Sequence, residues 1–297
     1  MGKSIRHLVL GNTGFLGIHL YSLLQKKGHE VSGCHGIDLR DYDNVMRLIK
    51  GYDFIYLMSA DMGGVGYFSK EQYYPPLNNY LIDLNVLRAC EENKVKRLFY
   101  PASACAYNIY FEGEPLEEPM LNWSANPDQM YGWEKLSMIK LMRNASFDVR
   151  VGVLHTIYGE GQEYEGKKAK FPPQIAHKMI QACETGKVEV WGDGTQTRTF
   201  LHIDDAVAKI YEVMMSDDYH GEVNIGSDQE VSVIEIVNMC MKILGVIPEV
   251  IYQKDKPTGP TRRLCSNEKF NLFYKTRDKV TLEQGFERLI NYIKRRG

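Results

Sequence analysis

Three glycines spaced three residues apart, Gly11, Gly14 and Gly17, join a short apolar run to a segment with helical periodicity. Residues 7–10 form that run, which predicts a buried strand because it is too short for a helix and stops at a glycine. Residues 15–27 place apolar side chains on one side and predict an amphipathic helix. A helix that begins at such a turn presents unpaired N–H groups and partial positive charge, which suit a pyrophosphate. The pattern therefore favours a dinucleotide-binding turn over an ordinary loop.

Short apolar strands alternate with helices after this turn. Further strands are predicted from residue 31 and over 54–58, 97–100 and 149–154, and helices over 42–50, 78–93 and 128–144. Such alternation predicts an α/β fold of Rossmann type, in which a doubly wound parallel sheet is covered by helices on both faces. The remaining chain is less regular, with predicted strands at 188–191 and 222–225, helices at 204–215, 232–244 and 282–295, and long loops at 159–173 and 259–260.

We expect two domains, of which the second is smaller and discontinuous. The dinucleotide-binding domain would consist of residues 1–155 and about 200–226. The C-terminal substrate-binding domain would consist of about 156–199 and 227–297. A chain of 297 residues is long enough for a large core domain with a smaller partner.

Composition excludes several function classes. The chain has 36 Lys and Arg against 38 Asp and Glu, a formal net charge of -2, so it lacks the basic excess of a nucleic-acid-binding protein. It has no apolar run long enough for a transmembrane helix, and its N-terminal residues lack the longer apolar stretch of a signal peptide. The 6 cysteines are scattered without a C-x-x-C pair, so we predict neither a metal site nor disulfides. These features indicate a cytoplasmic protein without a nucleic-acid or membrane partner.

A tyrosine and a lysine on one predicted helix provide a candidate proton-transfer pair. Tyr131 and Lys135 are four residues apart and therefore share a helix face. A tyrosine with its ordinary pKa near ~10 is a poor base, but a neighbouring ammonium and a positive nicotinamide would stabilise its phenolate. Tyr131 could then take a proton from a substrate hydroxyl group. The Y-x-x-x-K spacing alone also fits a surface pair.

The G-x-x-G-x-x-G spacing and the Ser–Tyr–Lys order resemble the extended branch of the short-chain dehydrogenase/reductase superfamily. Besides Tyr131 and Lys135, the resemblance implies that cofactor contacts come from Gly11, Thr13, Gly14, Phe15, Leu16, Gly17, Asp38 and Leu39. Asp38 could equally be a helix cap. The usual ribose-binding acid after the second strand is not obvious, because that segment contains Cys34 and His35. The cofactor is therefore NAD or NADP, with NAD as the first choice.

Three segments relate the chain to particular families within this superfamily. These are residues 60–66 (A-D-M-G-G-V-G), 101–107 (P-A-S-A-C-A-Y) and 191–200 (W-G-D-G-T-Q-T-R-T-F). They are similar to the GDP-mannose 3,5-epimerase family and, less closely, to the GDP-fucose synthases. The resemblance implies a catalytic set of Ser103, Tyr131, Lys135, Cys105 and Lys170. It implies substrate contacts from Met62, Gly63, Gly64, Ser103, Arg198, and Arg262 or Arg263.

The chemistry implied by this resemblance is epimerisation of a GDP-sugar at C3 and C5. Hydride moves from sugar C4 to the nicotinamide with Tyr131 as base, and the 4-ketone acidifies the neighbouring C–H groups. Cys105 as a thiolate removes a proton, Lys170 returns one on the opposite face, and hydride then goes back to C4. Packing is the alternative role for Cys105, and a solvated position in a basic loop is the alternative for Lys170. Thr156 stands where the family usually has an asparagine that contacts substrate.

Other activities remain open beside the 3,5-epimerase. A C4 dehydrogenase or 4-keto reductase acting on a GDP-hexose or GDP-heptose would need the same redox residues without proton exchange at carbon. A 4,6-dehydratase is less favoured because Cys105 stands where such relatives have an acid, and a non-catalytic NAD sensor would not need a Ser–Tyr–Lys set. The partner is expected to be a nucleoside-diphosphate sugar. The resemblance also implies a homodimer that uses helices beside the sheet, including the helix with Tyr131.

Overall fold

The computed structural model describes residues 5–111 and 113–296. Residues 1–4, which belong to the segment used above against a signal peptide, lie outside the described residues. Among the described helices, none has both the length and the apolar character that crossing a bilayer requires.

Thirteen strands are found in the described chain. They are β1 (Arg6–Leu10), β2 (Glu30–Gly33), β3 (Phe54–Leu57), β4 (Arg97–Ser103), β5 (Asp148–Leu154), β6 (Ile157–Tyr158), β7 (Lys187–Trp191), β8 (Thr197–Thr199), β9 (Leu201–His202), β10 (Gly221–Ile225), β11 (Glu230–Ser232), β12 (Glu249–Gln253) and β13 (Arg262–Arg263). The ten described α-helices are α1 (Phe15–Lys26), α2 (Tyr42–Ile49), α3 (Val65–Phe68), α4 (Tyr74–Glu92), α5 (Gln129–Met142), α6 (Phe171–Thr185), α7 (Ile203–Met215), α8 (Val233–Leu244), α9 (Glu268–Phe273) and α10 (Leu282–Lys294).

Six strands form one parallel sheet in the order β10-β5-β4-β3-β1-β2. Side chains alternate across this sheet, so Leu8 and Leu10 belong to one apolar cluster and Val9 to another. The first cluster includes residues of α2, α4 and α5, and the second includes residues of α1, α7 and α9. The expected α/β fold with a doubly wound parallel sheet is therefore confirmed. All carboxyl ends of these strands face one edge, where an open sheet of this kind places its ligands.

A third apolar cluster lies in the C-terminal half of the chain. It joins α6, α8 and α10 with strand β7, which pairs with β12 in a small separate sheet. A second small sheet has the order β11-β8-β13 and contains both Arg198 and Arg263. The division of the chain into a cofactor domain and a substrate domain stays a prediction.

One element of this half differs from the expectation. The prolines in the predicted loop over 159–173 lead into helix α6, with Pro172 and Pro173 in its first turn. Proline is tolerated there because its missing N–H would have no partner within the helix in any case. The loop prediction is therefore wrong for the start of α6, since these prolines mark a helix N-terminus.

Candidate active site

The glycine turn closes tightly between β1 and α1. The N–H of Gly14 donates to the carbonyl of Gly11 over 3.0 Å, and Gly11 has a φ of 83°. A Cβ on Gly17 would lie 2.0 Å from the oxygen of Gly11, so only glycine allows the helix to approach the turn this closely. Helix α1 begins at Gly14 without a side-chain cap and without an acid in its first turn. Its first N–H groups are therefore available to an anionic ligand.

The end of β2 faces this turn. The N–H of Gly11 donates to Sγ of Cys34 over 3.5 Å, and a Cβ on Gly33 would lie 2.2 Å from Cγ of Asn12. The Oδ1 of Asn12 is buried and has no partner among the described residues. A backbone cradle that a side chain would fill, together with an acceptor that lacks a donor, fits the pyrophosphate and ribose of a dinucleotide.

Asp38 lies beyond that strand on an exposed segment. Its carboxylate accepts from Nε and Nη2 of Arg40 at 2.9 and 2.8 Å, and these hydrogen bonds lower the pKa of Asp38 to about 2. Asp38 is not the cap of α2, because Asp41 accepts the N–H groups of Asp43 and Asn44. The helix-cap alternative for Asp38 is therefore wrong, while Leu39 beside it is buried in the core.

The Ser–Tyr–Lys residues come together at the carboxyl end of β4. Ser103 ends that strand and hydrogen-bonds the hydroxyl of Tyr131, while its own Oγ accepts the N–H of Cys105 over 3.2 Å. The ammonium of Lys135 is 5.7 Å from the ring centre of Tyr131. Burial raises the pKa of Tyr131, and the charge of Lys135 and the Ser103 hydrogen bond oppose that rise. A positive charge beside a buried phenol is the arrangement that stabilises a phenolate.

A ring stack holds Tyr131 from its other side. The rings of Phe68 and Tyr131 are 4.3 Å apart between centroids and inclined by only 12°. Phe68 ends the short helix α3, which follows the glycine pair of the predicted substrate segment. The stack therefore ties the position of that segment to the position of the phenol.

Cys105 lies in a short 3-10 turn after β4, beside a charged pair from distant parts of the chain. Arg263 donates from Nη1 to Sγ of Cys105 over 3.3 Å and from Nη2 to Oδ2 of Asp128 over 3.1 Å. Sequence reasoning did not identify Asp128, which also caps α5 through its backbone position. The sulfur of Cys105 therefore faces the positive charge of Arg263.

The three arginines proposed for substrate binding differ in their surroundings. Arg198 lies near Arg263, and burial together with the charge of Arg263 lowers the pKa of Arg198 to about 10. Arg262 instead donates to both oxygens of Glu230 at 2.9 Å, away from this pair. The sequence left the choice between Arg262 and Arg263 open. In the structure it is Arg263 that lies beside Cys105 and Arg198. Two close guanidinium groups in a half-buried position would gain from a bound diphosphate.

Lys170 immediately precedes α6 and is half-buried near Cys105. Burial lowers the pKa of Lys170, and the nearby charge of Cys105 opposes this effect. Within the described part of the chain its ammonium has neither a hydrogen bond nor an ion pair. The neighbouring Lys168, by contrast, pairs with Asp61 at 2.7 Å. An unpaired lysine with a lowered pKa can exchange a proton more readily than a solvated one.

The segment with Met62, Gly63 and Gly64 packs against the loop that carries Lys170. A Cβ on Gly64 would lie 2.7 Å from the carbonyl oxygen of Ala169. This close approach brings the predicted substrate segment and the predicted catalytic lysine to one place. Thr156 follows β5, and its carbonyl accepts the N–H of Leu201 over 3.0 Å.

Buried polar residues beneath Lys135 were missed by the sequence analysis. They are Asn79 and Asp83 on α4, Tyr100 on β4, and Glu134 on α5, and each is at most 1% exposed. For Asn79, Asp83 and Glu134, the sequence signal was a polar residue at a helix position whose periodicity indicates burial. Their contacts are described below.

The chain is similar to known proteins in sequence and in fold. Residues 7–226 match the model of the NAD dependent epimerase/dehydratase family. The chain is 34% identical over 263 residues to GDP-mannose 3,5-epimerase 1 of Oryza sativa subsp. japonica, covering 80% of this chain and 68% of that protein. It is 28% identical over 307 residues to GDP-L-fucose synthase 1 of Arabidopsis thaliana, covering 98% and 93% of the two chains. The crystal structure of a GDP-6-OMe-4-keto-L-xylo-heptose reductase from C. jejuni has a TM-score of 0.88 and 19% identity, covers 100% of this chain and 99% of that one, and shows the same fold.

Proposed function

Because this chain belongs to the NAD dependent epimerase/dehydratase family, we propose that it epimerises a nucleoside-diphosphate sugar, a GDP-sugar in the first place, at C3, C5 or both. The reaction would pass through a transient ketone at C4. One observation carries this proposal. Cys105, which lies two residues after Ser103, contacts the guanidinium of Arg263 at 3.3 Å. A relative named GDP-mannose 3,5-epimerase at 34% identity supports the choice of sugar and of reaction.

The redox half of the mechanism uses residues of β4 and α5. The glycine turn of Gly11, Gly14 and Gly17 would hold the pyrophosphate of the cofactor, which would supply a reversible hydride acceptor for C4. Tyr131 accepts the proton of the C4 hydroxyl and gives it back to the ketone oxygen when the hydride returns. Lys135 stabilises the phenolate through its charge, and Ser103 orients the phenol through its hydrogen bond.

The epimerising half uses Cys105 and Lys170. A ketone at C4 acidifies the C–H groups on either side of it, so that a thiolate can remove a proton. Arg263 stabilises that thiolate, since its guanidinium lies against the sulfur. Lys170 supplies a proton to the opposite face, a role that its half-buried position and lowered pKa favour. Arg198 and Arg263 together would hold the diphosphate, and Met62, Gly63 and Gly64 would contact the sugar.

A reductase or dehydrogenase acting at C4 is the second candidate. The relatives named GDP-L-fucose synthase and GDP-L-colitose synthase align with 98% and 96% of this chain, more than the epimerases do. Such an enzyme would use Ser103, Tyr131 and Lys135 but would not exchange protons at C3 or C5. A 4,6-dehydratase and a non-catalytic NAD sensor have less support from these residues. The homodimer and the cytoplasmic location stay predictions.

Solvent exchange at carbon separates these activities. The purified protein would be incubated with GDP-mannose and related GDP-sugars in heavy water, and the products examined by NMR. The epimerase incorporates deuterium at C3 or C5, and Cys105→Ser abolishes the incorporation while hydride transfer persists. Cys183→Ser is the matched control, because Cys183 is an exposed free cysteine on α6. Hydride transfer without deuterium in the wild type would instead establish the C4 oxidoreductase.

A further inference from the structure

Two buried acids flank the ammonium of Lys135. Asp83 is 1% exposed, Glu134 is 0% exposed and Lys135 is 2% exposed. The Nζ of Lys135 lies 3.0 Å from Oε1 of Glu134 and 3.5 Å from Oδ2 of Asp83. We refer to Asp83, Tyr100, Glu134 and Lys135 as the acid cluster.

Hydrogen bonds connect the members of the acid cluster. The hydroxyl of Tyr100 donates to Oδ2 of Asp83 over 2.9 Å, and Lys135 donates to the same hydroxyl oxygen over 3.1 Å. Asn79 donates from Nδ2 to Oε2 of Glu134 over 3.3 Å, and its amide also pairs with the backbone of Asp61. Every oxygen of Glu134 is therefore contacted by a neutral donor or by Lys135.

The charge of the acid cluster is unbalanced. Two ionised carboxylates against one ammonium leave a net negative charge in a region without water contact, and such a charge is costly. The groups that face Glu134 are Asn79 and Asp83 from α4, Tyr100 from β4, and Tyr131 and Lys135 from its own helix. Burial, with the charge of Asp83 added and that of Lys135 opposing, raises the pKa of Glu134 to about 7. A proton can thus be gained or lost here at neutral pH.

We propose that Glu134 is a positioning residue for Lys135 and stores the proton that Tyr131 gives up when it becomes the base. In the resting site Tyr131 holds its phenolic proton, Lys135 is an ammonium and Glu134 is a carboxylate. On activation Lys135 first passes one of its protons to Oε1 of Glu134 across their 3.0 Å contact, and the proton that leaves the Tyr131 oxygen then restores the ammonium of Lys135. Tyr131 is then a phenolate, Lys135 is again an ammonium and Glu134 is a neutral acid. The total charge is the same before and after.

This transfer explains the presence of an acid close to a residue that must become an anion. The ionised carboxylate of Glu134 opposes formation of the Tyr131 phenolate, whereas the protonated carboxyl does not. Ionisation of Tyr131 therefore needs no proton to leave for bulk water. The inference rests on the proposed function, because a ketone that forms and is reduced in one site needs a base that is regenerated in place.

The pH dependence of hydride transfer tests the proposal. In single turnovers with a GDP-sugar, the wild-type rate falls on the acid side with a midpoint near 7, where Glu134 becomes protonated before Tyr131 can use it. In Glu134→Gln the fall in rate on the acid side is set by the ionisation of Tyr131 itself, so its midpoint moves up by about one pH unit or more. In Asp83→Asn the midpoint of this fall moves to lower pH, because the charge of Asp83 that raised the pKa of Glu134 is gone. Glu92→Gln, on the exposed end of α4, leaves it in place.

A substrate-free measurement keeps this test separate from the proposed function. Because the pKa of Glu134 is raised to about 7, infrared difference spectra of the purified protein recorded between pH values on either side of 7 should show the carbonyl band of a protonated carboxylic acid. The band disappears in Glu134→Gln and titrates at lower pH in Asp83→Asn. Cys105→Ser retains it.

The outcomes separate two failures. If the wild type transfers no hydride with any nucleotide sugar, the proposed function fails, and the infrared titration alone decides the role of Glu134. If hydride transfer occurs but Glu134→Gln and Asp83→Asn lower the rate equally at every pH, the cluster is a structural ion pair and the inference is overturned. Absence of a carboxyl band that titrates near 7 overturns it as well. Should Glu134→Gln fail to fold, the downward shift in Asp83→Asn decides the matter.

Discussion

The guanidinium of Arg263 lies 3.3 Å from the sulfur of Cys105, although 158 positions separate the two residues in the chain. The contact forms because β13 pairs in parallel with β8, which brings Arg263 beside Arg198 and over the end of β4. Arg263 contacts both this sulfur and Asp128, and in the proposed function it would also bind a substrate diphosphate. A diphosphate that draws the guanidinium away would change the environment of the thiol at the moment of binding.

Arg263 should increase the reactivity of Cys105 toward alkylation. Because a nearby cation favours the thiolate, Arg263→Leu should slow the reaction of Cys105 with iodoacetamide by roughly 5- to 20-fold. The rate would be measured by mass spectrometry in a Cys183→Ser background, since Cys183 is exposed and would react as well. Arg262→Leu is the matched control, because Arg262 pairs with Glu230 instead. Equal rates in the two arginine variants would remove Arg263 from the thiol site.

The glycine turn and the Tyr131–Lys135 pair could be predicted because their signals are local. Three glycines between a strand and a helix, or two residues one helical turn apart, are readable without knowledge of the fold. The contact between Arg263 and Cys105 could not be predicted, since it depends on the pairing of β8 with β13. The same holds for Asp83 and Glu134, which come from two helices that meet over β4. The start of α6 was missed because proline both breaks helices and begins them.

Two glycines of the first turn should respond differently to alanine. A methyl group on Gly17 would collide with the backbone of Gly11 at 2.0 Å, so Gly17→Ala should lower the free energy of unfolding by about 1–3 kcal/mol. A Cβ on Gly14 meets only the Gly11 oxygen at 3.4 Å, and its φ of -79° suits alanine. Gly14→Ala should therefore fold normally yet bind the dinucleotide more weakly. Urea denaturation and cofactor titration of both variants check this, and a Gly17→Ala protein as stable as wild type would contradict the packing argument.

The end of β2 favours NAD over NADP. Asn12 offers a buried amide oxygen that has no partner within residues 5–111 and 113–296 and can accept a hydrogen bond from a ribose hydroxyl but not from a phosphate. The strand ends at Gly33, which has no side chain, Cys34 follows it, and the guanidinium of Arg40 is held by Asp38. Tryptophan fluorescence titrations should give a lower Kd for NAD than for NADP. Asn12→Ala should raise that Kd by roughly 5- to 10-fold and leave the Kd for NADP nearly unchanged, in line with the loss of one hydrogen bond. Tighter binding of NADP by the wild type would reverse the cofactor assignment.

The outer faces of α4 and α5 should form the interface of a homodimer. Leu77, Leu81 and Leu84 follow one another at helical spacing on α4, and they are 38%, 41% and 43% exposed. Trp133 and Leu141 on the neighbouring α5 are also exposed, so an apolar surface extends across both helices. Light scattering after size exclusion should give twice the chain mass for the wild type. The double variant Leu81→Lys/Leu84→Lys should run as a monomer, because two lysines on each partner would have to be buried in the interface. Leu272→Lys, at a residue that is 76% exposed on α9, serves as the control and should remain a dimer. A monomeric wild type, or a double variant that stays dimeric, would place any interface elsewhere.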